Sequence, residues 1–126
     1  MRTKLCLIAL LLLPGCATAP WAVVDGDSAS TADELHHDVT IFAIDGQSYP
    51  DGRTHQKLAP GFHQVQVKTT KAGTQGDARY RSLVLITEPC VRYDVVAQYK
   101  RRADIKNWTA VINARTPISD CTPPKR

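Results

Sequence analysis

From residue 39 onward the chain is a series of short apolar or alternating runs, each stopped by a turn signal before a helical period can develop. The clearest run spans residues 91–99. Val91, Tyr93, Val95, Ala97 and Tyr99 face one way and Arg92, Asp94 and Gln98 the other, with only Val96 out of phase. Successive side chains of a strand point to opposite faces, so such a run buries one face and wets the other. Residues 62–69 repeat the pattern, setting His63, Val65 and Val67 against Gln64, Gln66 and Lys68. Trp108, Ala110, Ile112 and Ala114 are in phase in the last run.

The remaining runs agree. Val39-Thr40-Ile41-Phe42-Ala43-Ile44 is β-branched and aromatic and ends at Asp45-Gly46, a strong hairpin signal. A second turn is expected at Tyr49-Pro50-Asp51-Gly52, a short polar edge strand at 53–58, and a third turn at Pro60-Gly61. Residues 70–78, with Gly73 and Gly76, read as an exposed loop. Leu83-Val84-Leu85-Ile86 lies at the centre of 79–87, and that unbroken apolar run is expected to be buried on both faces. No helical period is long enough to cover a sheet. The expectation is an all-β fold, a small antiparallel β-sandwich of six to seven strands.

The first sixteen residues bear on location. Arg2 and Lys4 precede a nine-residue apolar run, 5–13, as in a secretory signal. As a helix it reaches only about 14 Å, against about 30 Å of hydrocarbon, so it is too short to span a bilayer. The run ends at Leu13-Pro14-Gly15-Cys16. This resembles the lipobox of bacterial lipoproteins, whose Cys sulfur receives diacylglycerol, although Pro14 stands where the family carries a small residue. Cleavage after Ala17-Thr18-Ala19 would place the scissile bond before Pro20, an imide with no N–H and a poor substrate for ordinary signal peptidase. The resemblance therefore implies a signal peptide over 1–15 and a lipid on Cys16. With Ala17 rather than Asp after it, it implies the outer membrane, facing the periplasm. Acyl burial contributes about 0.8 kcal/mol per CH₂, and more than one chain anchors stably.

With Cys6 removed and Cys16 acylated, Cys90 and Cys121 are an even pair in an oxidising compartment, and a disulfide is expected. Chain entropy gives such a bridge roughly 3 to 4 kcal/mol. Residues 17–38 are rich in Ala, Ser, Thr, Asp and Gly, which reads as a flexible tether of about 25 Å root-mean-square reach. The apolar island Trp21-Ala22-Val23-Val24 is alternatively a first strand or a docking segment, and Ser30 or Thr31 a cap for one weak helical turn. The domain proper is thus expected over 39–126.

Ile44-Asp45-Gly46 followed by Leu58-Ala59-Pro60-Gly61-Phe62-His63-Gln64-Val65-Gln66-Val67 resembles the PEGA-type surface module, a strand, a "DG" turn and an "L-x-P-G-x-H-x-V-x-V" strand. The downstream part, from Cys90-Val91-Arg92-Tyr93 through Trp108 to Cys121, is similar to small proteobacterial lipoproteins that carry such a module. The resemblance implies a β-sandwich with no catalytic residues to carry over. It also implies a structural His63 that bonds turn carbonyls.

Chemistry is sparse. Ser82, His63 and Asp94 fall on expected strands rather than loops, and no nucleophile elbow or Ser-x-x-Lys occurs, so no enzyme is expected. His36-His37-Asp38 offers metal-ligand types, with His55 and His63 elsewhere, but neighbours on an extended chain point apart, and no metal or other cofactor is expected. Asn107-Trp108-Thr109 matches a glycosylation acceptor, which the resemblance to bacterial lipoproteins makes a chance match. The formal charge of +4 falls to +2 without Arg2 and Lys4, as 14 basic residues face 12 acidic ones, too weak a balance for nucleic acid. One surface remains. Tyr99, Lys100, Arg101, Arg102, Lys106 and Trp108 set four cations and two aromatics around one hairpin tip, where an envelope protein or an anionic polymer such as peptidoglycan or lipopolysaccharide phosphate would bind. The expected role is structural or partner-binding in the cell envelope, with small-ligand or metal binding as the alternative.

Overall fold

The computed structural model describes residues 20–30 and 33–123. The signal segment 1–15, Cys16 and Thr31 lie outside the described residues. Among the described residues nine strands run in chain order: β1 Ala22–Asp25, β2 His36–His37, β3 Val39–Ile44, β4 Gln47–Arg53, β5 His55–Leu58, β6 Gly61–Thr69, β7 Tyr80–Thr87, β8 Val91–Tyr99 and β9 Trp108–Pro117. They form two sheets. One has the order β4-β3-β6-β7; the other is β2-β8-β1-β5 with β9 added on β8. The chain changes sheets four times, at Asp38, at Thr54, at residues 59–60 and at residues 88–90, and the only helical element among the described residues is a 3-10 turn at Gly76–Arg79.

Alternation decides what is buried. Val65 and Val67 of β6, Tyr93, Val95, Ala97 and Tyr99 of β8, and Ile41 of β3 meet between the sheets with Val24 and Trp108. The expected β-sandwich is therefore present, with its apolar phases pointing inward. The extra strands beyond seven are the two-residue β2 and the edge strand β4.

Three local expectations change. First, the tether boundary at residue 38 moves. Ala22 and Val24 are fully buried, and β1 is antiparallel to β5 (Ala22↔Leu58) and parallel to β8 (Val24↔Tyr93), so the island is a central strand, as the alternative allowed. Burial of that apolar pair, at about 25 cal/mol per Å², offsets part of the chain entropy that ordering the segment costs, and the strand's backbone pairs on both sides. The sheet is consequently not wholly antiparallel. Second, β7 is not buried on both faces: it is an edge strand whose Val84 and Ile86 are 52% and 69% exposed. Third, residues 49–52 do not separate two strands but bulge out of β4, where Ile41↔Arg53 is followed by Ala43↔Ser48.

The Asp45-Gly46 turn is as expected. Asp45 (φ 51°) and Gly46 (φ 86°) both adopt left-handed backbone, as the two-residue hairpin turn demands.

Candidate interaction surface

The two ends of the sandwich differ in character because β8 runs its full length. Nine residues of strand span about 27 Å at roughly 3.4 Å each. At the start of β8, the Cys90 amide donates to the Trp21 carbonyl at 2.8 Å, so the described chain enters here. The Cys90–Cys121 disulfide closes at the same end, with Cα atoms 5.4 Å apart across a separation of 31 residues, as the cysteine count led us to expect. At the other end of β8, residues 100–107 cross to β9.

That crossing is the expected cationic tip, and the structure divides its residues. Lys100, Arg101, Arg102 and Lys106 are exposed. Tyr99 and Trp108 are 1% and 4% exposed, so neither offers a contact surface. Paired across β8 and β9, they stack with ring centroids 6.0 Å apart, and the Tyr99 hydroxyl lies 2.8 Å from Thr69 Oγ1. Trp108 Nε1 donates to the Ala78 carbonyl at 2.6 Å. The aromatics support the tip from inside, and the four cations face solvent together with Ala103, Ile105 and Asn107.

Two further cations, not singled out from the sequence, shape the tip. Lys71 Nζ donates to the Arg102 carbonyl at 2.6 Å and to that of Asp104, and lies 4.3 Å from the Tyr99 ring centroid. Arg81 of β7 donates to the carbonyls of Lys106 (2.8 Å) and Trp108 (3.1 Å) with its guanidinium over the Trp108 ring. Nothing local in either sequence neighbourhood signals this, because both bonds are made to backbone about 25–33 positions away.

Ion pairing leaves the tip unevenly neutralised. Arg102 Nη1 meets Glu34 Oε1 at 2.7 Å, and Arg101 meets Asp104 at 3.7 Å. Lys100 and Lys106 make no ion pair among the described residues. Beside them opens a groove of about 900 Å³, whose lining includes Leu35, His36, Arg81, Lys100, Arg101 and Lys106.

The other candidates do not assemble. His36 contacts Asp33 (2.5 Å) and Gln98 (3.0 Å), whereas His37 packs edge-on against Tyr99, so the two rings diverge as extended neighbours must. His55 sits beside Thr54, and Asp38 accepts from the Ala29 amide at 2.9 Å. Among the described residues no three His, Cys, Asp or Glu side chains gather to hold a metal ion. Ser82 and His63 alternate to opposite faces of the four-stranded sheet, while Asp94 belongs to the other sheet. Asp94 is buried next to Asp25, its strand neighbour; burial, then repulsion from Asp25, raises its pKa against the opposing pull of Arg92, whose Nε lies 3.3 Å away.

Comparison with protein-family models, with curated proteins and with solved structures returned no match.

Proposed function

We propose that this chain is a lipid-anchored outer-membrane protein whose β-sandwich faces the periplasm and binds an anionic envelope partner through the cationic tip at 100–107. The observation that carries this reading is the opposition of the two ends. Cys16 stands only five residues before Trp21, a reach of at most about 17 Å, while the tip lies about 27 Å further along β8. An anchor at Cys16 therefore holds the base near the lipid and presents Lys100, Arg101 and Lys106 outward. Exposed cations supply long-range attraction that salt weakens over about 8 Å at physiological ionic strength. His63 Nε2 lies 2.7 Å from the Ala59 carbonyl at the Pro60-Gly61 turn, which supports the structural role that the PEGA-type resemblance implies for that histidine. A second reading, a small anionic ligand rather than a polymer, is favoured by the groove beside Lys100 and Lys106.

The test is sedimentation of the protein with isolated cell wall and outer membrane over a salt series. Binding should fall as salt rises, and the combined change Lys100→Ser, Arg101→Ser and Arg102→Ser should weaken it at low salt without lowering the melting temperature, since exposed ion pairs contribute about 0–1 kcal/mol. Equal binding by the triple variant and the parent would remove the tip as the site. Competition by short anionic fragments as effective as the intact polymer would favour the small-ligand reading.

A further inference from the structure

The strands at the sheet margins are not equally protected. A free edge presents unpaired amides and carbonyls to any other strand, and folded proteins blunt it with charge, proline, bulges or brevity. β4 carries Pro50 and the bulge at 49–52; β5 is four residues long and carries Lys57; β9 carries a register shift, Arg115 and Pro117. β7 has none of these over residues 82–87. Its pairing with β6 runs unbroken from Lys68↔Tyr80 to Gly61↔Thr87, and Ser82-Leu83-Val84-Leu85-Ile86-Thr87 contains neither charge nor proline. Only at its start does a cation intervene, where Arg81 reaches over to β9.

The same stretch carries the largest apolar exposure on its sheet. Ile86 is directly opposite Phe62, and the two are 69% and 67% exposed, with Val84 beside them at 52%. An open edge and an outward apolar row thus coincide in one strand.

We propose that residues 82–87 pair antiparallel with the same residues of a second copy of this chain, extending the four-stranded sheet across a two-fold axis. Self-pairing fits on two counts, charge and register. A two-fold interface sets one patch against itself, and with no charge in 82–87 it opposes no like charges. Keeping the outward residues on one face requires an even register. Val84 then faces either Val84 or Ile86 of the second copy, and the two sets of Phe62, Val84 and Ile86 merge into one apolar surface. With an even register five of these residues pair on each side, 82–86 or 83–87, well below the about 20–30 of a standard interface, so the pair is weak and reversible, with a Kd expected above about 1 µM. The pairing is independent of the anchor and of the cationic tip.

Crosslinking of the full-length chain in intact cells tests this. Val84→Cys, at an exposed position, treated with a short bismaleimide should give one product at twice the monomer mass, whereas Ser48→Cys on the blunted β4 edge should remain monomeric. Adding Ile86→Lys, or independently Ser82→Lys at the other end of the stretch, should abolish the product while leaving the melting temperature unchanged. Three outcomes would overturn the proposal. The first is no dimer from Val84→Cys. The second is an equal dimer from Ser48→Cys, which signals random collision. The third is adducts only at other masses, which assign the edge to a different protein. If no dimer forms and the thiol reacts with an aqueous maleimide only after detergent, the row is covered by lipid instead.

Discussion

His63 is held between two acceptors: its Nδ1 lies 2.6 Å from Asp45 Oδ2, and its Nε2 lies 2.7 Å from the Ala59 carbonyl. Neither partner can donate at neutral pH, so only the doubly protonated imidazolium satisfies both. The other Asp45 oxygen accepts the Gln64 amide at 2.8 Å. One ion pair therefore ties the Asp45-Gly46 turn to the Pro60-Gly61 turn and to the start of β6, two loops that sequence separation alone would leave independent.

This arrangement sets a pH dependence. Desolvation lowers the His63 pKa, but the Ala59 carbonyl and the Asp45 carboxylate outweigh it and raise the value above the ordinary 6.5. The Gln64 amide, then His63, lowers that of Asp45 below 3.8. The histidine's contribution is complete below its unfolded pKa and is lost as pH rises through its raised folded one. The carboxylate's is complete above its unfolded pKa and is lost as pH falls through its lowered one. The stability difference between the parent and His63→Gln should therefore be largest between about pH 4 and about pH 6.5 and shrink towards pH 9. Thermal melts across that range check it; a difference that stays constant with pH rejects the imidazolium.

Breaking the disulfide should cost about 3–4 kcal/mol through the freed loop entropy, with a further loss if the segment at 118–121 detaches from the Cys90 carbonyl that accepts from Ile118. Urea unfolding of Cys121→Ser with Cys90→Ser measures this. In the parent, thiol labelling after denaturation without reductant should find neither Cys90 nor Cys121 reactive.

The first strand should be energetically central. Val24→Ala, at a fully buried position, is expected to cost about 2 kcal/mol, and Val23→Ala, on the half-buried side, clearly less. Equal and negligible losses at both positions would mean that β1 can leave the sheet without consequence, as a tether would.

Processing at Cys16 is a separate expectation. Cys16→Ser should leave an unprocessed precursor and abolish partitioning into the detergent phase. A mature-sized, membrane-held product from that variant would dismiss the lipid anchor.

The sequence by itself determined the elements whose signals are local. The alternation at 62–69 and 91–99 set the inward faces of β6 and β8, Asp45-Gly46 set the hairpin turn, and Cys90 and Cys121 carried the expectation of one disulfide. The phase of that alternation already placed Tyr99 and Trp108 with the core residues, so their burial was legible even though their neighbours' charge drew attention to them as a surface. What only the tertiary structure decided were relations between distant segments. A parallel pairing such as β1 with β8 has no turn and no spacing to announce it, so Trp21-Ala22-Val23-Val24 looked like an island in a tether. An unbroken apolar run fits a central strand or an edge strand equally well. Leu83-Val84-Leu85-Ile86 became an edge only because no strand follows β7 in its sheet, and neighbour order is a property of the assembled fold. Lys71 and Arg81 took their places at the tip in the same way, by reaching backbone carbonyls that the fold, and not the chain, brought near.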